Sequence, residues 1–115
     1  MSLLAKLRNE NEDGTPVVVI DGEIDSSNAV DIGERLRATI SNQSMAMVVD
    51  LTPTTYIDSA GINALFRLRL ELEERQQRLH LVVASGSPIE RMLTIVGLDR
   101  AIPTFATRTA ALDGL

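Results

Sequence analysis

Two runs of consecutive apolar residues constrain the fold of this chain more than any other feature. Residues 45–51 and 79–84 are apolar at nearly every position instead of alternating with polar residues. A strand covered on one face alternates, whereas a strand covered on both faces does not. Between them, residues 59–76 have helical periodicity. Doubly covered strands separated by helices predict an α/β domain with a mainly parallel sheet.

The N-terminal part predicts a hairpin at one edge of this sheet. Residues 3–8 and 16–20 are strand-like, and the polar segment between them contains the turn signal Asp13-Gly14. Sequential strands joined by so short a turn are antiparallel. We therefore expect the first strand to be the antiparallel edge of an otherwise parallel sheet.

Helix signals complete the element order. Ser87 and Glu90 form a capping box around Pro88 at the first helical position, and Gly97 closes that helix. With about four helices, the predicted order is β-β-α-β-α-β-α-β-α in one domain over residues 1–115. Side chains in residues 25–28 are expected to cap the first helix, at 29–40. The elements that follow are a strand at 45–51, a loop at 52–58, a helix at 59–76, a strand at 79–84, a helix at 88–97, a short strand at 102–105 and a helix from 107.

Composition argues against several kinds of function. The net charge is −5, and an acidic chain repels a phosphate backbone, so no nucleic acid partner is expected. The apolar runs are far shorter than the roughly 20 residues that span a bilayer, so no membrane insertion is expected. The absence of cysteine removes disulfides and zinc-thiolate sites. No signal segment is recognisable, and we expect a cytoplasmic protein.

The segment from Asp58 to Gly61, which begins Asp-Ser, places one hydroxyl at the start of the long helix. In open parallel sheets, functional groups gather beyond the carboxyl ends of the strands, where we expect both Asp25 and the Asp58-Ser59 pair. Ser59 has three interpretations: a helix cap contributing about 1 kcal/mol, a catalytic nucleophile, or a phosphoryl acceptor.

The nucleophile interpretation is the weakest of the three. A nucleophile elbow needs glycine two residues before the serine, where Ile57 stands. The only histidine, His80, is interpreted as a surface residue at the start of its strand, on the rim opposite Ser59. No His-x-x-x-His or Glu-x-x-His pair occurs, and Asp25 and Asp58 are interpreted as loop and cap residues. The sequence therefore predicts no catalytic residue, metal ligand or cofactor.

The helix behind Ser59 carries two apolar stripes. At about 100° per residue, the first stripe suits packing on a sheet. The second contains Ile62, Phe66 and Leu70, and Arg69 and Glu73 project between the two. The second stripe is either a partner surface or a face covered by a neighbouring helix or the hairpin, and the pattern does not decide between them. Residues of the first stripe are Gly61, Ala64, Leu65, Leu68 and Leu72.

A phosphate on Ser59 would change this surface without requiring a new fold. It adds about −1.5 to −2 charges, and N–H groups at a helix N-terminus are able to hold such an anion. A partner docking on the apolar stripe would then meet a strongly hydrated dianion. The expected consequence is that binding is switched off.

Four segments of this chain resemble the signature of the STAS domain family, particularly the bacterial anti-sigma factor antagonists. Two departures are visible: many members carry a second hydroxyl residue where Ala60 stands and a second glycine where Asn63 stands. The first departure removes a neighbouring candidate phosphorylation site. The segments are Gly22-Glu23-Ile24-Asp25, Val48-Val49-Asp50-Leu51-Thr52, Tyr56-Ile57-Asp58-Ser59-Ala60-Gly61-Ile62 and Val96-Gly97-Leu98-Asp99-Arg100.

The resemblance implies a single STAS domain that acts as a partner switch. The unmodified antagonist would bind an anti-sigma factor that is also a serine kinase, which would phosphorylate Ser59, and a PP2C-type phosphatase would reverse the modification. ATP and magnesium would belong to the kinase, and the antagonist itself would be no enzyme. The implied partner-binding residues are Asp25, Ser26, Asp58, Ser59, Ala60, Gly61, Ile62 and Phe66.

Two other functions stay open on the sequence alone. STAS domains also serve as subunits of transporters or multi-protein signalling complexes. A small-molecule or nucleotide binder would use the turn Ser85-Gly86-Ser87.

Overall fold

A six-stranded sheet organises the computed structural model, which describes residues 4–115. Residues 1–3, including the start of the predicted first strand, lie outside the described residues. The strands are β1 (Ala5–Glu12), β2 (Thr15–Ile24), β3 (Ala46–Asp50), β4 (Thr54–Ile57), β5 (Arg78–Val82) and β6 (Thr104–Phe105). The helices are α1 (Ala29–Thr39), α2 (Ser59–Glu74), α3 (Pro88–Val96), α4 (Leu98–Ala101) and α5 (Arg108–Asp113).

The strand order confirms the predicted sheet. It is β1-β2-β3-β5-β6, and β4 pairs with the end of β2. Only β1 and β2 are antiparallel, and β1 forms one edge. Their turn has positive φ at Asp13 (52°) and Gly14 (91°), as a two-residue type I′ turn requires.

The two faces of the sheet are covered differently. One face packs against α1 to α4 in the main core, and the other packs against the short α5. Val49 of β3 belongs to the first cluster, and its neighbour Val48 belongs to the second. Successive strand residues point to opposite faces, so both of these side chains are buried. This double coverage explains the uninterrupted apolar runs of β3 and β5.

An ion-pair cluster ties α5 to the sheet. The guanidinium of Arg108 donates to Asp50 Oδ2 (3.1 Å) and to Glu10 Oε1 (2.5 Å), and it lies 3.4 Å from Glu12 Oε1. Hydrogen bonds from Arg108 and then from Arg8 lower the pKa of Glu10. Asp50 is almost completely buried and also accepts from the Thr52 hydroxyl.

The prediction for His80 is wrong. His80 lies in the middle of β5 and is only 2% exposed. Its Nδ1 atom lies 2.9 Å from the carbonyl oxygen of Ala111 in α5, and its ring centroid lies 4.8 Å from that of Phe105. The sequence did not show that α5 folds back over this face and covers the histidine.

Two elements were not predicted. Residues 52–58 are not only a loop, because they contain β4, and α4 adds a short fifth helix after Gly97. Thr54 and Thr55 are β-branched and precede Tyr56 and Ile57, so β-propensity could have indicated the strand.

Candidate functional site

Ser59 is the first residue of α2, and it is exposed. Within residues 4–115 its hydroxyl takes part in no hydrogen bond. The hydroxyl is therefore open to solvent at the start of a helix of 16 residues.

Asp58, and not Ser59, caps this helix. Its Oδ1 atom accepts hydrogen bonds from the backbone N–H of Ala60 (2.9 Å) and of Gly61 (3.2 Å). Asp58 has the extended backbone (φ −108°, ψ −171°) typical of an N-cap residue. The cap interpretation of Ser59 is thus wrong. Since a carboxylate occupies the N–H groups of Ala60 and Gly61, these are not free to hold a phosphate on Ser59.

The ends of β2 and β4 bring the two acidic segments together. Ile24 pairs with Ile57 in parallel register, and the N–H of Asp58 donates to the carbonyl oxygen of Ile24 (3.2 Å). Asp25 and Asp58 each follow one of these paired residues. Both therefore lie at the carboxyl edge of the sheet, as the sequence predicted.

Gly61 allows α2 to start close to these strand ends. A β-carbon at this position would lie 2.7 Å from Ile24 Cγ2 and 2.7 Å from Ile57 Cγ1, closer than van der Waals contact permits. Gly61 is consequently buried beneath the site, as its place in the first stripe predicts, whereas the family resemblance counts it among the partner-binding residues.

Hydrogen bonds hold the Asp25 segment as a tight turn. Asp25 Oδ1 accepts from the hydroxyl (2.5 Å) and the N–H (2.8 Å) of Ser27. These bonds lower the pKa of Asp25, so the carboxylate is ionised at neutral pH. Asn28 is the N-cap residue of α1 but makes no side-chain cap bond; its amide accepts from Asp25 N and donates to Glu23 O. The prediction that these side chains cap α1 is therefore wrong, because their hydrogen bonds stabilise the turn before the helix instead. Ser26 is exposed on this turn.

Part of the second apolar stripe of α2 is exposed. Phe66 is 37% exposed and Leu70 48%, whereas Ile62 is half-buried and packs against the core. A shallow depression of about 510 Å³ runs from Ser59 along this stripe to α3. We call it the docking depression; its lining residues are Ser59, Ala60, Ile62, Asn63, Phe66 and Val96.

Two lining residues of the docking depression were missed by the sequence analysis. Asn63 was noted only as a departure from the family pattern, and Val96, which is 48% exposed, belongs to α3. No signal in the sequence indicates which face of α3 lies beside α2. Arg69 and Glu73 form an ion pair (3.0 Å), consistent with their predicted position on the surface of α2.

The turn Ser85-Gly86-Ser87 is engaged in capping α3. Ser87 Oγ accepts from Glu90 N (3.1 Å), and Glu90 Oε1 accepts from Gly86 N (2.8 Å). The serine half of the predicted capping box is confirmed, whereas Glu90 bonds the residue before the N-cap instead of the N–H of Ser87. The same bonds occupy groups that an anion would use at this turn.

Residues 4–115 contain neither a candidate metal cluster nor a candidate membrane span. No three His, Cys, Asp or Glu side chains in this region lie close enough together to hold a metal ion. No helix in the same region has the length and apolar character needed to cross a membrane.

The helix cap provides a test of how the site is built. Replacing Asp58 with alanine should lower the free energy of unfolding by about 1 kcal/mol, because the N–H groups of Ala60 and Gly61 lose their acceptor. Asp58→Asn keeps an acceptor oxygen and should cost only a few tenths of a kcal/mol. Urea unfolding of both variants measures the difference. Equal losses would show that the cap bonds do not stabilise α2.

The strand order, the antiparallel hairpin and the Asp-Ser start of α2 define an α/β domain with the fold of SpoIIAA. The structure of the anti-sigma factor antagonist SpoIIAA in its unphosphorylated form superposes with a TM-score of 0.74, at 21% identity, over 94% of each chain. The chain belongs to the STAS domain family, whose model matches residues 6–111. The family resemblance seen in the sequence is thereby confirmed.

Two mycobacterial proteins are more similar in sequence. The anti-sigma-F factor antagonist RsfB of Mycobacterium tuberculosis is 30% identical over 106 residues, which cover 91% of this chain and 84% of RsfB. The crystal structure of an anti-sigma factor antagonist from Mycobacterium paratuberculosis superposes with a TM-score of 0.85 at 25% identity, covering 96% of this chain and 92% of that one. The similarity therefore extends over nearly the whole domain.

Proposed function

We propose that this protein is an anti-sigma factor antagonist that acts by partner switching. In its unmodified form it binds an anti-sigma factor that is also a serine kinase, and phosphorylation of Ser59 releases it. The relatives named anti-sigma factor antagonists support the role of antagonist. The proposed switch by phosphorylation depends on the geometry of Ser59.

The observation that carries the proposal is the free, exposed hydroxyl of Ser59 at the head of the docking depression. A kinase must reach the acceptor oxygen, and here neither burial nor a hydrogen bond from residues 4–115 obstructs it. Asp58 performs the capping role in place of the serine. Modification of Ser59 therefore removes no bond on which α2 depends.

Phosphorylation would act on the docking depression mainly by electrostatics. The serine lies beside Asp58 and near the edge that also carries Asp25, so a phosphate would add a dianion to a region that is already acidic. Because the N–H groups of Ala60 and Gly61 are bonded to Asp58, they are not free to hold the phosphate. The partner would have to desolvate the phosphate next to Ile62 and Phe66, which opposes binding.

The proposed division of roles follows from the same site. Asp25, Ser26 and Asp58 supply a polar rim, Ala60, Ile62 and Phe66 supply apolar contact area, and Gly61 sets the backbone path beneath them. The protein itself is proposed to be no enzyme. His80 lies on the sheet face beneath α5, whereas α2 packs on the other face, so this histidine is not placed to act as a base for Ser59.

The partners and the compartment belong to the proposal as well. A PP2C-type phosphatase would restore the unmodified form, and ATP and magnesium would be bound by the kinase. All of these components would meet in the cytoplasm.

Mapping the modified residue tests the proposal. Incubation with the anti-sigma factor kinase and ATP should add one phosphate, and mass spectrometry should locate it on Ser59. Ser59→Ala is the matched control, because it removes only a hydroxyl that has no partner in the described residues, and it should stay unmodified while still binding the kinase. Modification at Ser26 or Ser27, or none at all, would contradict the assignment.

A further inference from the structure

The outer edge of β1 is a continuous, unpaired strand edge. All eight residues of β1 pair with β2 in unbroken register, and β1 ends the strand order on this side within the described residues. The strand contains neither proline nor glycine. Such an edge is a template on which another strand can pair.

Residue pairs between β1 and β2 alternate between hydrogen-bonded and non-hydrogen-bonded pairs. This alternation determines which backbone groups of β1 point outward. Glu12 and Thr15 flank the two-residue turn, and residues in this position exchange hydrogen bonds with each other. The carbonyl oxygen of Leu4 likewise accepts from Glu23 N (2.8 Å). Even-numbered residues of β1 therefore bond to β2. The outward N–H and C=O groups belong to Ala5, Leu7, Asn9 and Asn11.

The charged side chains of β1 are arranged in an order that is complementary to itself. Lys6, Arg8, Glu10 and Glu12 share one face of the strand, two positive and then two negative. In an antiparallel pair with Asn9 opposite Asn9, Lys6 of one copy faces Glu12 of the other. Arg8 likewise faces Glu10 in this register. Both pairs occur twice because of the two-fold symmetry.

The positions of the outward backbone groups along β1 favour the same register as the charges. Asn9 points its backbone groups outward, so two copies of Asn9 exchange both hydrogen bonds, and the other outward residues also meet in bonded pairs. The charged residues then occupy the non-hydrogen-bonded positions, where opposing side chains approach most closely. Charge on an edge strand usually keeps it unpaired. Here the sign pattern repels most strands but matches a second copy of this one.

We propose that two copies of this protein associate through antiparallel pairing of β1 about a two-fold axis at Asn9. Lys6 makes no ion pair within residues 4–115 and would gain one. Glu10 holds Arg108 with Oε1 and Arg8 with Oε2, so Arg8 of the second copy would replace Arg8 of the same chain without disturbing α5.

The pairing leaves the docking depression free. Ser59 follows β4, which pairs with β2 on the side away from β1. The helix α5 packs on β3, β5 and β6, and its Arg108 reaches the β1 residues Glu10 and Glu12. Exposed cross-strand ion pairs contribute little each, so we expect a weak dimer that dissociates on dilution.

Charge exchange at the ends of the strand tests the proposal. In sedimentation equilibrium, Lys6→Glu alone and Glu12→Lys alone should each associate at least about tenfold more weakly than the unchanged protein, because like charges then face each other. An equimolar mixture of the two variants should regain association. The first variant is acidic at positions 6 and 12 and the second is basic at both, so opposite charges face each other again. A mixture that associates no better than its components would overturn the proposal, as would an unchanged protein that stays monomeric up to about 1 mM.

Asn9→Pro provides an independent variant. Its N–H points outward, so proline should remove association and leave the bonds between β1 and β2 in place. Asn9→Ala, which keeps the N–H, should still associate. Thermal unfolding monitored by circular dichroism checks that each variant is folded. A folded Asn9→Pro variant that associates like the unchanged protein would show that another surface is used.

Discussion

Gly22→Ala should lower the free energy of unfolding by about 3 kcal/mol or more, the largest effect that we expect for a single methyl group in this chain. A β-carbon at Gly22 would lie 2.1 Å from the carbonyl oxygen of Leu4, and φ at this residue is +127°. The clash involves backbone, because that oxygen accepts a hydrogen bond from Glu23 N (2.8 Å). Relief would require β1 to separate from β2, and urea unfolding would measure the loss.

Gly97→Ala is the matched control for this result. Gly97 also has positive φ (+78°), but a β-carbon added there would meet no atom within 4 Å. The substitution should therefore cost only the strain of a left-handed residue, about 1–2 kcal/mol. If Gly22→Ala and Gly97→Ala were equally destabilising, conformational strain alone would account for both, and the close approach of Leu4 would have no energetic consequence.

Ser59→Asp should weaken binding to the anti-sigma factor kinase at least tenfold, equivalent to about 1.4 kcal/mol. The carboxylate would place a charge at the head of the docking depression, beside Phe66 and Ile62. A partner that binds there must desolvate this charge, which opposes binding. Isothermal titration calorimetry with the purified kinase measures this change. Unchanged affinity would contradict the proposed switch.

Ser59→Asn separates charge from size in this experiment. Asparagine has nearly the shape of aspartate but carries no charge, so the variant should bind within about threefold of the unchanged protein. If Asn and Asp weakened binding equally, steric exclusion would explain the loss. Such a result would leave the site in place as a docking surface but would contradict an electrostatic mechanism.

The sequence predicted most of the site because the relevant signals are local. The Asp58-Ser59 pair was placed at the start of α2 from helical periodicity alone, and the structure confirms this start. The sequence left open whether Ser59 caps the helix, and the structure gives this role to Asp58. Both residue types are good caps, and the choice depends on where the backbone turns out of its extended conformation at Asp58.

The sequence by itself determined the class of fold, the antiparallel hairpin and the stripes of α2, because periodicity, capping and turn chemistry act between residues close in the chain. Only the tertiary structure decided that β4 pairs with β2 and so aligns Asp58 with Asp25, that α5 buries His80, and that Val96 borders the docking depression. These features depend on which strands become neighbours and which helix covers which face. Contacts between residues distant in the chain decide that outcome, and local pattern carries little information about them.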